Sequence, residues 1–271
     1  MERIVVDGLQ IRVYKGGKGS PLMYLHSGFG EIGRLRFFEE LQKFGLEVVA
    51  PEMPGFGFST PCREWHKIED AVYFYRNLMS SLFDSPVPVV GQSLGGWLAA
   101  ELAVWFPERL SALILIDSVG LHIDGAPIAE LFGANPSELM PKVFPSGGNI
   151  LEHVMPALEG ANGSDAVLLH FFRAMETTAY IGWSPYMHDP KLESRLASIP
   201  VPTLILHGSA DGVVPLRHAE VFAHSIPGAQ LEVLKGAGHL PALERPKEVA
   251  SHIARFLEKA GIHRIAAGAN F

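Results

Sequence analysis

Short apolar runs that alternate with amphipathic helical segments set the strongest limit on how this chain can fold. The runs are rich in Val, Ile and Leu and bounded by Gly or Pro, which is typical of parallel strands covered on both faces. They are PLMYL, LEVVAP, VPVVG, LILID, TLILHG and LEVL, and the helical segments are RLRFFEELQKF, DAVYFYRNLMSSLF, LGGWLAAELAVWF, LRHAEVFAHS and PKEVASHIARFLEKA. Two earlier runs, IVV and QIRVY, flank Asp7-Gly8, which favours a two-residue hairpin turn. This order predicts the α/β class, with an eight-stranded, mostly parallel, doubly wound sheet.

The alternation stops between residues 121 and 188. Apolar residues follow helical spacing there, without a strand-like run. We therefore expect a helical cap at 121–188, inserted into a core domain formed by residues 1–120 and 189–271. A chain of 271 residues that is 48% hydrophobic is long enough to bury a large core of this kind.

Composition and charge argue against several classes of partner. A formal net charge of -7 without a basic run makes a nucleic-acid partner unexpected. Cys62 is the only cysteine, so no internal disulfide and no cysteine-based metal cluster can form. No apolar stretch reaches about 18 residues, and the first residues form a strand pattern without a signal-peptide core, so we expect a cytoplasmic protein without stable membrane insertion. No metal or cofactor is predicted, and no pattern indicates an oligomeric state.

The most informative motif is GQSLG at residues 91–95, which fits G-x-S-x-G between a predicted strand and a predicted helix. Such a tight turn needs small flanking residues, here Gly91 and Gly95, exposes the serine hydroxyl and points the next amide at the same place. The N-terminus of the helix adds a field that favours an anion. The motif predicts Ser93 as a nucleophile and the Leu94 N–H as an oxyanion donor. The alternative is a serine that only caps a helix.

A serine nucleophile needs a base, and the base needs an acid that orients it. Asp211 follows the strand TLIL, and His239 follows the strand LEVL. Because the carboxyl ends of parallel strands share one crevice, Ser93, Asp211 and His239 are predicted to meet. Asp117, directly after the strand LILI, is the alternative acid.

Other histidines are interpreted as structural. His26 and His207 each close a strand and are expected to bond backbone groups. His153, His170 and His188 lie in or near the predicted cap without the spacing of metal ligands.

The stretch LHSGFGEIG at residues 25–33 has two interpretations. Its last six residues fit the G-x-G-x-x-G fingerprint of dinucleotide-binding turns, with Glu52 about 20 residues further on. A Gly-rich turn after a strand can instead point a backbone N–H at a developing oxyanion. The second interpretation is favoured, because the strand before the turn follows a hairpin and because Glu31 would place a carboxylate in a pyrophosphate loop.

Five motifs make nearly the whole chain resemble the serine hydrolases of the α/β-hydrolase fold superfamily, in the capped branch that holds esterases, perhydrolases and meta-cleavage-product C–C hydrolases. They are HSGFG, PGFGFS, GQSLGG, HGSADGVVP and GHLPALERP, and the order Ser, Asp, His is that of the superfamily. The resemblance implies that the Gly28 N–H completes the oxyanion hole, with Phe29 beside it. Two positions depart from the usual pattern. Ser27 replaces a glycine, so the loop loses a residue that takes positive φ freely, and Glu52 replaces an aspartate.

The resemblance and the apolar residues near the predicted site imply a carboxylesterase for small-molecule esters with small to medium apolar acyl groups. Phe29, Trp97 and Leu240 are the candidate substrate contacts. Meta-cleavage-product hydrolases typically carry Trp directly after the catalytic His, where this chain has Leu240, and C–C hydrolysis is the alternative activity. A small-molecule receptor of this fold, with little turnover, is the alternative from another functional class.

Overall fold

The computed structural model describes residues 1–147 and 164–264, which are organised around an eight-stranded sheet. The strands are β1 (Glu2–Val6), β2 (Leu9–Gly16), β3 (Ser20–Leu25), β4 (Leu46–Pro51), β5 (Val87–Gln92), β6 (Leu110–Ile116), β7 (Thr203–Gly208) and β8 (Gln230–Leu234). Their spatial order is β1-β2-β4-β3-β5-β6-β7-β8. Only the pairs that include β2 are antiparallel; all others are parallel. The predicted α/β class and the mostly parallel, eight-stranded sheet are confirmed.

Helices lie between and beyond the strands. They are α1 (Arg36–Lys43), α2 (Ile68–Leu82), α3 (Leu94–Trp105), α4 (Pro136–Val143), α5 (Ser164–Gly182), α6 (Leu192–Arg195), α7 (Leu216–Ser225), α8 (Pro241–Glu244) and α9 (Pro246–Lys259). In the described part of the chain, no helix is long and apolar enough to cross a membrane.

The core of the molecule is built on the central strands. All of β5 and β7 is buried, and so is β6 apart from one half-buried serine. This agrees with the near-continuous apolar runs that predicted them. The same interpretation is wrong for β8, which forms an edge of the sheet and leaves Val233 45% exposed. Its apolar run resembles those of the central strands, but only one of its sides has a neighbouring strand.

The first two strands form the predicted hairpin. Asp7 and Gly8 have φ angles of 50° and 79°, the positive values that a two-residue turn of this kind requires. The hairpin places β2 next to β4 and leaves the parallel part of the sheet to begin at β4 and β3.

One edge of the sheet collects the loops that carry the predicted site. Because β3, β5, β7 and β8 run parallel, the loops after them all leave from their carboxyl ends. These loops contain, in chain order, residues 26–30, Ser93, Asp211 and His239.

The described parts of the segment 121–188 hold helices α4 and α5 and contribute no strand to the sheet. Both helices lie against the loops at the carboxyl edge. In α5, the Thr178 hydroxyl donates to the Gly28 carbonyl at 3.0 Å. At the end of α4, the carbonyls of Lys142 and Val143 accept hydrogen bonds from Gly212 N (3.0 Å) and His239 N (2.9 Å). The division into a core and a cap at residues 120/121 and 188/189 stays a prediction.

The close packing of these loops can be tested by a substitution at Gly208. A Cβ atom at this position would lie 2.3 Å from the Gly238 carbonyl oxygen and 2.5 Å from that of Ala237. We expect Gly208→Ala to lower the free energy of unfolding by about 2 kcal/mol, because the backbone must move apart. Chemical denaturation measures this. Gly133→Ala, whose nearest neighbouring atom would be 3.9 Å away, is the matched control and should change stability by less than about 0.5 kcal/mol. Equal effects of the two substitutions would contradict the packing described here.

Candidate active site

Ser93 lies at a strained turn between β5 and α3. Its φ and ψ angles are 53° and -112°, a conformation that costs free energy for a residue with a side chain. The turn is possible because its flanking residues are glycines. A Cβ on Gly91 would lie 2.1 Å from the Gly95 carbonyl oxygen, and one on Gly95 would lie 2.2 Å from the Leu25 carbonyl oxygen. These close contacts explain why the motif GQSLG has glycine two positions before and two positions after the serine.

The three side chains predicted to form a triad are in contact. The Nε2 atom of His239 lies 2.9 Å from the Ser93 Oγ, and its Nδ1 atom lies 2.8 Å from the Asp211 Oδ2. The other oxygen of Asp211 accepts hydrogen bonds from the amides of Val213 (2.7 Å) and Val214 (3.0 Å). These amides fix the carboxylate, which fixes the imidazole with one nitrogen facing the serine. This arrangement can transfer the serine proton to His239.

The charges in this group support a base and an ionised acid. Burial acts to lower the pKa of His239, but the charge and hydrogen bond of the Asp211 carboxylate, together with the charge of Asp117, raise this pKa above its ordinary value. Burial acts to raise the pKa of Asp211. The charge and hydrogen bond of His239, together with the charge of His207 and the Val214 amide, nevertheless lower that pKa below its ordinary value. Asp211 is therefore ionised at neutral pH and strengthens His239 as a base.

Asp117, the alternative acid, has different partners. Its Oδ1 atom accepts a hydrogen bond from the Gly208 amide at 2.9 Å and lies 3.0 Å from the His207 Nδ1. Burial and the neighbouring charge of Asp211 raise the pKa of Asp117 to about 6. The Asp117–His207 pair thus connects the ends of β6 and β7, where the Asp211 loop begins. The geometry favours Asp211 as the acid.

The same cluster has the spacing of metal ligands. Among residues 1–147 and 164–264, one group of possible metal ligands lies close together. The ligand atoms of Asp117, His207 and Asp211 are within 4.8 Å of one another. Both oxygens of Asp211 and one of Asp117 already accept hydrogen bonds from protein groups. With these hydrogen bonds in place, Asp117 and His207 support the loop that carries Asp211.

The two amides predicted for the oxyanion hole are free to donate. Among the hydrogen bonds of the described residues, neither the Gly28 N–H nor the Leu94 N–H is a donor. Leu94 is the first residue of α3, so its amide has no partner within the helix. Phe29, next to Gly28, lies with its ring 6.1 Å from that of His239.

The turn at residues 28–33 does not have the features of a dinucleotide site. Glu31 is completely buried there, and its carboxylate accepts a hydrogen bond from the Ser27 amide at 2.6 Å. A carboxylate in this position occupies amide donors and opposes a pyrophosphate. Glu52, the candidate ribose ligand, is paired instead with Arg12.

The other predicted residues have assignable contacts. Leu240 is buried directly after His239, and the Trp97 indole N–H donates to Glu101 at 3.2 Å, further along α3. Contact of Phe29, Trp97 and Leu240 with a substrate stays a prediction. His26 is structural, as expected: its Nε2 accepts from the Met53 amide at 3.0 Å.

The described histidines in or near the predicted cap, for which no metal-ligand spacing was found, bond backbone groups. His170 Nε2 lies 2.8 Å from the Gly30 carbonyl oxygen, and His188 Nδ1 lies 2.8 Å from that of Tyr186. His153 lies outside the described residues.

Comparison with known proteins agrees with this geometry. Residues 19–252 match the model of the alpha/beta hydrolase family. The chain belongs to this family.

Two curated relatives of this alpha/beta hydrolase are similar over nearly their full lengths. This chain is 28% identical over 270 residues to a 2-hydroxymuconate semialdehyde hydrolase of Pseudomonas sp. strain CF600, with 95% of this chain and 93% of that protein covered. It is also 28% identical over 290 residues to a 2-hydroxy-6-oxo-6-(2'-aminophenyl)hexa-2,4-dienoic acid hydrolase of Metapseudomonas resinovorans, with 98% and 94% covered. Among solved structures, a serine hydrolase involved in carbazole degradation has a TM-score of 0.77 at 22% identity, with 95% and 98% covered. That last likeness concerns the fold.

Sequence reasoning missed the groups that hold these loops from outside. The carbonyls of Lys142 and Val143 hold the loops of Asp211 and His239, and Thr178 holds Gly28. Backbone carbonyls leave no signature in a sequence, so no pattern could have found the first two. Glu31 could have been found, because an acid inside a Gly-rich turn is unusual.

The two candidate acids of this alpha/beta hydrolase can be separated by isosteric substitutions. We expect Asp211→Asn to lower the turnover number by about 10⁴, because the amide leaves His239 in the wrong tautomer. Asp117→Asn keeps an acceptor for the Gly208 amide and should lower turnover far less, while reducing thermal stability. Steady-state kinetics and thermal unfolding of both variants measure this. A larger loss of turnover in the Asp117 variant would reverse the assignment.

The pH profile should report the raised pKa of His239. The base must be neutral to accept the serine proton, so activity is lost as the pH falls through this pKa. Because the shift is upward, we expect the acidic limb of kcat/KM to have its midpoint above 6.5, the ordinary value for His. Hydrolysis of a p-nitrophenyl ester across pH 5 to 9 measures the midpoint. A midpoint clearly below 6.5 would contradict the charge arrangement around His239.

Proposed function

We propose that this chain is a serine hydrolase that cleaves carboxylic esters with small to medium apolar acyl groups, with Ser93, His239 and Asp211 as its catalytic triad. The observation that carries the proposal is the contact of the three side chains, at 2.9 Å and 2.8 Å, at a strained turn that keeps the serine next to the base. A serine that only caps a helix has no need of such an arrangement.

In the proposed mechanism, the His239 Nε2 takes the proton of Ser93 as the serine oxygen attacks the acyl carbon. The carbonyl oxygen becomes negative and is stabilised by the amides of Gly28 and Leu94, each by about 3 kcal/mol in the transition state. His239 then gives its proton to the leaving alcohol. Water, deprotonated by the same imidazole, releases the acid from the acyl-enzyme and regenerates Ser93.

The surroundings of the triad support a neutral, apolar substrate. Phe29 and Leu240 are apolar neighbours of the catalytic groups. In the sequence, residues 143–172 of the predicted cap contain no Lys or Arg. A buried carboxylate on a substrate needs a charged or multiply hydrogen-bonding partner.

Two guanidinium groups elsewhere, one buried and one half-buried, are already paired. Arg12 is paired with Glu52, and Arg195 is paired with Glu101 and Asp189. Neither is available as the partner of a substrate carboxylate.

C–C bond hydrolysis is the second candidate, and the curated relatives favour it. Their names state hydrolysis of 2-hydroxymuconate semialdehyde and of a hexadienoic acid. The same serine, base and oxyanion donors can act on a ketone carbonyl. The absence of Lys and Arg from residues 143–172 of the sequence and the presence of Leu240 after the catalytic His favour the ester.

The architecture around the site is part of the proposal. We propose residues 121–188 as a cap over the triad, because α5 contacts the Gly28 loop and the end of α4 contacts the loops of Asp211 and His239. A small-molecule substrate would then bind between the cap and the sheet edge. A cytoplasmic location stays a prediction from the sequence.

The first test is the hydrolysis of p-nitrophenyl esters from acetate to decanoate by the wild type and by Ser93→Ala. We expect turnover with a maximum at short or medium acyl chains, as the proposed substrate class requires, and loss of turnover in the variant, because the nucleophile is missing. Far-ultraviolet circular dichroism of the variant checks that it is folded.

The second candidate is tested in parallel with 2-hydroxymuconate semialdehyde, whose absorbance falls when the C–C bond is cleaved. A higher kcat/KM for this compound than for every ester would replace the ester assignment with C–C hydrolysis. A folded wild type that turns over neither substrate class would contradict both candidates and favour a receptor.

A further inference from the structure

The direction of the Gly28 N–H is set by the peptide bond between Ser27 and Gly28. This bond is planar and trans, so its carbonyl oxygen and its N–H point in opposite directions and fixing one fixes the other. The Ser27 carbonyl accepts hydrogen bonds from the His26 Nδ1 (2.8 Å) and the Gly30 amide (3.2 Å). His26 can donate from Nδ1 because its Nε2 accepts from Met53, and burial keeps the ring neutral by lowering its pKa to about 4.

Glu31 holds Ser27, the residue that supplies the carbonyl of this peptide, through the Ser27 amide and side chain. Its Oε1 accepts hydrogen bonds from the Ser27 amide at 2.6 Å and the Tyr24 hydroxyl at 3.0 Å, and its Oε2 accepts one from the Ser27 hydroxyl. The Ser27 hydroxyl oxygen accepts in turn from the Phe29 amide at 3.1 Å. A continuous chain of hydrogen bonds therefore runs from the amide after Gly28, through Ser27, to the Glu31 carboxylate.

Glu31 also connects this loop with the nucleophile turn. Gln92, the residue before Ser93, donates from its side-chain amide to the Glu31 Oε1 at 3.3 Å. Glu31 is completely buried and all its partners are neutral, so burial raises its pKa. A buried acid without a cation costs folding free energy, and Tyr24, Ser27 and Gln92 accordingly supply it with hydrogen bonds.

We propose that Glu31 is a positioning residue of the oxyanion hole: together with Ser27 it holds the Ser27–Gly28 peptide so that the Gly28 N–H faces the carbonyl oxygen of the substrate. Through Gln92, it keeps that amide in register with Ser93 and the Leu94 N–H. This proposal rests on the proposed function, because it assumes that Gly28 stabilises an oxyanion. It also gives a role to Ser27, which stands where a glycine is usual: the hydroxyl restrains a loop that a glycine would leave freer.

Three variants and one control test this role. Glu31→Leu removes every acceptor, Ser27→Ala removes the hydroxyl link, and Glu31→Gln keeps one acceptor oxygen for the Ser27 amide. Glu52→Gln is the matched control, because Glu52 is an equally buried acid whose side-chain partners, Arg12 and Phe58, lie outside the Ser27–Gly30 loop.

The decisive readout is binding of an alkyl trifluoromethyl ketone compared with the corresponding secondary alcohol. The serine oxygen adds to the carbonyl carbon of the ketone, and the resulting oxyanion needs the Gly28 and Leu94 amides. The alcohol fills the same pocket without forming an anion. Steady-state kinetics on a p-nitrophenyl ester give kcat and KM for the same proteins, and circular dichroism establishes that each is folded.

We expect Glu31→Leu and Ser27→Ala to weaken ketone binding and to lower kcat by about 10- to 100-fold, less than the full loss of an oxyanion donor. Alcohol binding and KM should change by no more than about twofold, since the pocket itself is kept. Glu31→Gln should recover part of the loss, and Glu52→Gln should bind the ketone like the wild type. If Glu31→Leu does not fold, Ser27→Ala and Glu31→Gln carry the comparison.

Ketone affinity at the wild-type level in the Glu31 and Ser27 variants, or an equal loss of ketone and alcohol binding, would overturn the positioning role. Failure of the proposed function gives a different result. A wild type that binds the ketone but hydrolyses no ester contradicts only the ester assignment, and the variant comparison still holds. A wild type that does not bind the ketone overturns both proposals.

Discussion

The backbone conformation at Ser93 is the constraint on which the rest of the site depends. A serine with a φ angle of 53° at the end of a buried strand is strained, and the same turn brings backbone so close that a Cβ atom would clash at Gly91 and at Gly95. The turn lies in the middle of the sheet, between β3 and β6, so the loops after the flanking strands approach it from both sides. The Gly28 loop lies on one side, and the Asp211 and His239 loops lie on the other.

Two of these loops are held by buried polar groups. Asp117 and His207 join the ends of β6 and β7 ahead of Asp211, and Glu31 holds the loop of Gly28. Helices α4 and α5 add hydrogen bonds from the opposite side. Buried acids weaken a fold unless their hydrogen bonds are satisfied. Several buried acids lie around this one serine. Burying them costs folding free energy, and their hydrogen bonds fix the positions of the loops at this edge of the sheet.

Much of the fold and of the candidate site could be predicted because the signals are local in the chain. The apolar runs identified the strands, Asp7-Gly8 identified the hairpin, and GQSLG identified the turn at Ser93. The contact of Asp211 and His239 with Ser93 followed from the rule that parallel strands end at one edge.

The features that could not be predicted depend on which segments meet in space. The exposure of β8 follows from its place at the sheet edge, which its composition does not show. The carbonyls of Lys142 and Val143, which hold the loops of Asp211 and His239, are backbone groups that every residue type has. Glu31 was visible in the sequence as an acid that argues against a pyrophosphate, but its partners Tyr24 and Gln92 became evident only in the folded chain.

The most direct test of this account is a crystal structure of the protein after reaction with a trifluoromethyl ketone. The account predicts a covalent adduct on the Ser93 Oγ, with the adduct oxygen about 2.7–3.1 Å from the amide nitrogens of both Gly28 and Leu94. His239 would lie between this adduct and Asp211. An adduct on another residue, or an adduct oxygen that points away from these two amides, would contradict the central claim that they and the triad form one catalytic site.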